Sequence, residues 1–190
     1  MHAPGVDVRP IHHMNGLRHF NEVFFTDVQV PEDMRIGPVD GGWNVAVSVL
    51  GFERATTRLH RQARYMNELR ALQKIAEGQD EGDAYKSRFG KIAAELEILK
   101  YHNIQFISRI ASGQEIGEEA SLLKLLWSQT HQELASLAVE LLGPAIDAGT
   151  REAERFRQIY FTARGETIYA GSSQIQRNII GERVLGLPRG

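Results

Sequence analysis

Residues 89–110 read FGKIAAELEILKYHNIQFISRI. Apolar side chains return at intervals of three and four along this stretch, which is the period of one face of an α-helix. With one asparagine among them, the residues of this face are Phe89, Ile92, Ala93, Leu96, Leu99, Asn103, Phe106, Ile107 and Ile110. A stripe of this length that stops near Gly113 predicts a long helix packed against other helices.

The same period continues on both sides of this stretch. It predicts four further helices, over about residues 42–76, 118–142, 152–164 and 172–186. Gly143 and Pro144 should end the helix before them, because proline lacks an amide donor and disfavours helix in the preceding residue. The inward positions of the first helix are Leu59, Ala63, Met66, Leu69, Leu72 and Ile75. Long stripes joined by short loops predict a mainly α fold, an antiparallel helical bundle.

The first forty residues have a different pattern. Residues 6–9 and 23–30 are rich in β-branched and aromatic side chains, with a turn signal at Asn15 and Gly16 between them, which predicts two strands. Two strands alone leave open edges and an uncovered apolar face, so we expect self-association. We therefore divide the chain into a short β segment, residues 1–40, and a bundle domain, residues 41–190.

Composition excludes several classes of function. The chain is 42% hydrophobic and 24% charged with a formal net charge of -2, which is typical of a globular protein and unlike a nucleic-acid binder. It has no cysteine, so disulfides, thiolate metal ligands and thiol nucleophiles are excluded. The histidines lack metal-ligand spacing. Since neither a secretory signal nor an apolar run of membrane-spanning length is present, we expect a cytoplasmic protein.

The end of the chain carries a specific resemblance. Residues 167–189 read TIYAGSSQIQRNIIGERVLGLPR, which closely resembles the C-terminal signature of acyl-CoA dehydrogenases. Upstream, residues 20–31 read FNEVFFTDVQVP, followed by GGW at residues 41–43 and GFER at residues 51–54. These segments look like that family's passage from its middle β-domain into its C-terminal bundle.

The resemblance implies a fold and a reaction. Family members have an N-terminal helical domain, a middle β-domain and a C-terminal helical domain, and FAD lies between the last two. On this basis residues 1–40 are the end of the middle domain, and the chain by itself lacks the parts needed for turnover. The family removes the α-proton of an acyl-CoA thioester with a carboxylate and passes the β-hydrogen to flavin. Electrons leave to an electron-transfer flavoprotein or similar acceptor, and members are homo- or hetero-oligomers.

The resemblance also identifies a catalytic base. In many relatives the glutamate base follows the tyrosine of the terminal signature, but this chain has Ala170 there, and alanine cannot accept a proton. A subset of the family carries its base on the first bundle helix, immediately before an arginine, and Glu53 followed by Arg54 matches that pattern. The alternative for Glu53 is a solvated helix glutamate.

Two neighbours of the expected site also have two interpretations. Arg54 either steers the thioester and helps to keep Glu53 ionised, or forms a surface ion pair on the bundle. Tyr169 either lines the flavin and acyl site, as its counterparts do, or packs beneath the start of the last helix.

Gly171, Ser172, Ser173 and Gln174 form the expected cofactor turn. Glycine permits a tight entry, and Ser173 with Gln176 three residues later fits a capping box, so exposed amides at the helix start would suit a pyrophosphate. From the residues alone this turn is equally consistent with a plain helix cap. The resemblance favours contacts with FAD.

Two departures from the family pattern support a second hypothesis. A Gln-x-x-Gly-Gly loop is usual in relatives, and here ELLGP at residues 140–144 stands in its place. Arg88, Phe89 and Gly90 only partly match the Arg-x-x-Phe-Gly segment that contacts a neighbour's FAD. Together with Ala170 and the missing domains, they favour a non-catalytic partner subunit or oligomerisation module without flavin as the alternative.

Overall fold

A computed structural model describes residues 1–56, 59–79, 82–114 and 117–189, with side chains described for all of these except 50–56, 82 and 83. The chain forms two compact units, Met1–Phe52 and Glu53–Gly190. The described residues contain six α-helices and a two-stranded antiparallel sheet. This mainly α architecture confirms the fold class that the sequence predicts.

The first unit begins with a β-hairpin. Strand β1 (Val6–Ile11) pairs with β2 (Phe20–Phe25), and Val6 lies opposite Phe25. The predicted turn is present, since the amide of Gly16 donates to His13 O at 2.9 Å. Strand β2 starts three residues earlier than predicted and ends well before Pro31, because Asp27 has a φ of 51°, which interrupts extended backbone. Helix α1 (Gly42–Thr56) follows in sequence and crosses the boundary between the units.

The second unit is the helical bundle. It contains α2 (Arg61–Glu77), α3 (Lys86–Ala111), α4 (Ala120–Leu142), α5 (Arg151–Glu166) and α6 (Ser173–Ile179), and a π-helical turn (Ile180–Val184) follows α6. Helix α4 is central, because it packs against α2, α3, α5 and α6. Its inner face is completely buried at Leu134, Leu137 and Ala138.

One predicted helix is wrong. The single helix expected over residues 42–76 is two helices, because Leu59 and His60 form a turn between α1 and α2. The Leu59 carbonyl accepts a hydrogen bond from Nδ2 of Asn103 on α3 at 3.2 Å. A polar tertiary contact thus holds the turn, and the spacing of apolar residues carries no sign of it because the pattern continues on both sides.

Three positions predicted to face inward are exposed: Ala63, Ile107 and Ile110. The two isoleucines are 50% and 40% exposed, and both lie beyond Asn103, where α3 is level with the turn that precedes α2. Helix α3 has 26 residues and α2 has 17, so the last turns of α3 extend past the helix that covers its middle. The remaining boundaries agree with the prediction within two residues, except that α3 begins three residues before Phe89 and α6 gives way to the π-helical turn.

Candidate functional site

The terminal signature forms a tight turn between α5 and α6. Ala170 and Gly171 both have positive φ, 54° and 92°, a conformation that is costly for alanine and natural for glycine. The amide of Ser173 donates to Thr167 O at 2.9 Å and closes the turn. Nε2 of Gln176 donates to the carbonyls of Ala170 and Gly171, at 3.3 Å each. The turn is therefore fixed from inside by backbone and side-chain hydrogen bonds.

The predicted capping box is wrong. The N-cap of α6 is Ser172, whose hydroxyl accepts from the amide of Ile175 at 3.3 Å. A capping box would use Gln176 to accept from the amide of the N-cap serine. Here Gln176 faces the carbonyls of the preceding turn instead, and the Ser173 amide donates to Thr167 O.

A flavin cofactor needs a polar, accessible surface at this turn. Gln174 is exposed and Ser172 half-buried, whereas Ser173 is 8% exposed with its hydroxyl 3.5 Å from Thr167 O. Among the described residues, the buried Oε1 of Gln176 has no hydrogen-bond partner. Since the amides of Ser173 and Ile175 are already bonded, the turn offers side-chain donors and acceptors but fewer free amides than the sequence predicts. Ser172 and Gln174 are the polar side chains of the turn that remain accessible to a ligand.

Tyr169 is half-buried against the bundle core. Its ring lies over Gly165, where an added Cβ would come within 3.4 Å of Cδ1. The Arg61 guanidinium lies beside the Tyr169 side chain. Arg61 also stacks over Trp127, with the guanidinium carbon 3.9 Å from the ring centroid. Arg61 of α2 thus lies beside Tyr169 at the entrance to the turn.

Glu53 and Arg54 belong to the last turns of α1. Their side chains lie outside the described residues, so the expected base and its neighbour remain assigned by sequence.

A buried ionic cluster lies next to the signature turn, and the sequence analysis missed it. His131 on α4 is 1% exposed; its Nδ1 is 2.5 Å from Glu166 Oε2 and its Nε2 is 3.0 Å from Glu68 Oε2. The Tyr65 ring stacks on the imidazole with centroids 3.8 Å apart. The sequence signal was available, because Glu68 lies one turn after Tyr65 and one turn before Leu72 on the inner face of α2.

Several donors converge on the Glu166 carboxylate. Arg61 NH1 and the Tyr65 hydroxyl donate to Oε1 at 3.0 and 3.2 Å, and Arg64 NH2 lies 3.6 Å from the same oxygen. Burial alone raises the pKa of Glu166, but the hydrogen bond from His131 and the nearby arginines outweigh it, so the pKa is lowered. Burial likewise lowers the pKa of His131, and hydrogen bonds to Glu166 and Glu68 leave it raised.

The segments that depart from the family pattern have contacts of their own within the bundle. Arg88 at the start of α3 pairs with Glu133 at 3.0 Å and with Glu140, both on α4. Phe89 is buried in the core. Helix α4 ends at Leu142, as Gly143 and Pro144 predict, and Gly143 has a φ of 49°. Arg88 and Glu140 therefore tie two helices of this bundle together.

The part of the chain that the structure describes lacks two further kinds of site. Its histidines and carboxylates form no group of three or more that could hold a metal ion. None of its helices combines the length and apolar character that crossing a membrane requires.

Residues 40–185 match the family model for the acyl-CoA dehydrogenase C-terminal domain. The chain belongs to the acyl-CoA dehydrogenase family, and the recognition made from the terminal signature is confirmed. It is 36% identical over 189 residues to acyl-CoA dehydrogenase IpdE1 of Mycobacterium tuberculosis (strain ATCC 25618 / H37Rv), covering 98% of this chain and 49% of that protein. The chain thus spans about half the length of this curated relative.

Solved structures share the fold. The ChsE4-ChsE5 complex from Mycobacterium tuberculosis matches with a TM-score of 0.82 and 25% identity, over 100% of this chain and 52% of that one. The FAD complex of PigA matches with a TM-score of 0.81 and 20% identity, over 98% of this chain and 50% of that one.

Proposed function

We propose that this chain is the C-terminal part of an FAD-dependent acyl-CoA dehydrogenase that oxidises the α,β-bond of an acyl-CoA thioester. The family match over residues 40–185 carries the proposal, because it includes both Glu53 on α1 and the turn before α6. The FAD complex of PigA, which shares this fold, supports the choice of cofactor.

Glu53 is the proposed base. Its carboxylate takes the α-proton of the thioester, and Arg54 beside it favours the ionised form that this step requires. When bound, the flavin supplies the hydride acceptor for the β-hydrogen. Ala170 occupies the position where many relatives carry the base, so its small side chain leaves space for a carboxylate approaching from α1.

Ser172, Gln174 and the backbone of Gly171 are the proposed cofactor contacts, with Ser173 holding the turn from inside. Tyr169 lines the acyl and flavin side of this turn. The exposed Gln174 and half-buried Ser172 support this assignment, since both present polar atoms at the surface. Residues 1–40 contribute as the end of the middle domain and residues 41–190 as the bundle.

Turnover requires more than this chain. Relatives are about twice as long, so we propose that the isolated chain is inactive and works in a homo- or hetero-oligomer in the cytoplasm. Its electrons pass to an electron-transfer flavoprotein or similar acceptor. The exposed Phe20 and Phe25 of the hairpin, 56% and 68% accessible, support burial in a larger assembly.

The proposal is tested in the assembled enzyme by replacing Glu53 with Gln. We expect turnover to fall by roughly two to four decades, equivalent to about 3–5 kcal/mol, because amide cannot accept the α-proton. Glu152→Gln, at the exposed start of α5, is the matched control and should leave turnover unchanged. Unchanged turnover in Glu53→Gln would overturn the assignment of the base.

A non-catalytic partner subunit is the second candidate. The match to a complex of two different proteins favours it, as does Glu140, whose carboxylate is engaged by Arg88 in the segment that relatives use for a Gln-x-x-Gly-Gly loop. Flavin absorbance of the purified assembly separates the candidates. An assembly in which this chain's site holds flavin supports the enzyme, and a colourless chain that still assembles supports the partner subunit.

A further inference from the structure

The cluster around His131 constrains the protonation of the imidazole ring. Both ring nitrogens face carboxylate oxygens, Glu166 at 2.5 Å and Glu68 at 3.0 Å. A neutral imidazole has one N–H, so one carboxylate would face a nitrogen lone pair without a proton between them. An imidazolium donates to both carboxylates. This geometry therefore favours a buried cation between two buried anions.

Titratable groups of both signs from four helices surround the imidazole. Helix α2 contributes Glu68 and two arginines, Arg61 and Arg64; α4 contributes Lys124; α5 contributes Glu166. The Tyr65 ring lies parallel to the imidazole at 14°, an arrangement in which an aromatic face stabilises a cation. Helix α3 also carries Glu95, but its Oε2 accepts from Thr130 Oγ1 at 2.8 Å, whereas the His131 ring faces Glu166 and Glu68.

The cluster is connected directly to the signature turn. Glu166 is the last residue of α5, and its carbonyl accepts from Lys124 Nζ at 2.8 Å. Thr167 comes next: Gln132 Nε2 donates to its hydroxyl at 2.8 Å, and its carbonyl accepts from the Ser173 amide. His131 and Gln132 on α4 thus hold two consecutive residues from which the turn begins.

Arg61 provides a second connection. It donates to the Glu166 carboxylate at 3.0 Å, and its guanidinium lies beside the Tyr169 side chain. If His131 loses a proton, Glu166 no longer has a cation on that side, and the balance of charge at Arg61 changes as well. The charge state of His131 therefore affects the surroundings of both Thr167 and Tyr169.

We infer that His131 is a positioning residue, an imidazolium between Glu68 and Glu166 that fixes the end of α5 and makes the conformation of the turn from Ala170 to Gln174 depend on its protonation. The use of that turn by a cofactor rests on the function proposed above. The conformation of the turn does not rest on that function, so it can be measured in the purified chain without flavin or substrate.

Nitrogen-15 NMR of the histidine ring provides the primary test. At pH 7 we expect both ring nitrogens of His131 to be protonated, and on raising the pH we expect the amide signals of Gly171, Ser172 and Gln174 to move with the same midpoint as the ring. The Gly113 amide, in the turn after α3, should not share that midpoint. A neutral His131 at pH 7, or turn amides that do not follow the ring, would overturn the inference.

Glu68→Gln distinguishes positioning from simple packing. It keeps a side chain of similar size beside His131 but removes one anion, so the His131 midpoint should fall by one pH unit or more, about tenfold in the proton equilibrium. The turn amides must follow it to the lower pH. Glu95→Gln, which alters a neighbouring glutamate that contacts Thr130, is the control and should leave both midpoints in place. Turn amides that keep their original midpoint in Glu68→Gln would contradict a positioning role, whatever the chain's activity.

Discussion

Gln176 lies so close to Gly171 that a Cβ atom added to residue 171 would be 2.2 Å from Nε2 of Gln176. The backbone of Gly171 has a φ of 92°, which L-residues rarely adopt. Two separate penalties therefore fall on any side chain at this position: backbone strain, and displacement of the amide that binds the carbonyls of Ala170 and Gly171.

Gly171→Ala should destabilise the chain by about 2–4 kcal/mol, measured by urea unfolding. Gly113→Ala is the matched control, because Gly113 has a φ of 75° but nothing within 4 Å of an added Cβ. It should cost only the backbone part, about 1 kcal/mol. Equal losses of stability in the two variants would show that the Gln176 side chain can move away without destabilising the chain. A smaller loss for Gly171→Ala in a Gln176→Ala background would identify Gln176 as the source of the difference.

The ionic cluster predicts how stability depends on pH. His131 has a raised pKa in the folded chain, so its contribution is complete below its ordinary value of 6.5 and is lost as the pH rises through the folded pKa. Glu166 has a lowered pKa, so its contribution is present above its ordinary value of 4.5 and is lost as the pH falls through the folded pKa. The contributions of His131 and Glu166 to stability are therefore both present between pH 4.5 and pH 6.5.

Thermal unfolding should therefore show the contribution of this pair to be greatest at about pH 4.5–6.5 and to decline on both sides. His131→Gln should destabilise the chain by about 3–5 kcal/mol, since it removes one partner from buried charges, and should flatten the decline at higher pH. His12→Gln, at an exposed position of the hairpin loop, should leave the profile unchanged. A decline at higher pH that persists undiminished in His131→Gln would assign it to another group.

Helix α3 carries a buried and an exposed apolar side chain within one turn. Leu96 is completely buried, whereas Ile98 is 50% exposed on the same helix. Leu96→Ala should cost about 2–5 kcal/mol, because it leaves a cavity among packed helices. Ile98→Ala should change the free energy of unfolding by about 0.5 kcal/mol or less. Comparable losses would mean that Ile98 is also buried, as contact with another subunit would produce.

Much of the bundle was predictable because helix packing leaves a period in the sequence. The inner faces of α2 and α3 were identified from residues such as Leu72 and Leu96, whose burial follows from spacing alone. The turn at Leu59 was not, because it depends on Asn103, a residue 44 positions away that a local pattern cannot connect to it. Ile107 was wrongly assigned to the core. Its spacing fits the inner face of α3, but α3 extends beyond the end of α2 at this point, so the side chain is 50% exposed.

The candidate site was also predicted only in part from the sequence. The terminal signature identified Tyr169 to Gln174 by resemblance, and the structure adds which of these side chains face inward. The cluster of Glu68, His131 and Glu166 was missed, because a charged residue on a helix is usually solvated and only its position on the inner face distinguishes it. Three helices distant in sequence contribute these residues, so their pairing depends on the tertiary structure.

Two adjacent serines should respond differently to mutation. Ser172 caps α6 through its hydroxyl, so Ser172→Ala should cost about 1 kcal/mol, which Ser172→Thr should largely avoid. Ser173→Ala should cost less, because its hydroxyl is 3.5 Å from a Thr167 carbonyl that already accepts the Ser173 amide. Urea unfolding of the three variants measures the difference. A larger loss for Ser173→Ala would restore the capping box with Ser173 as the N-cap.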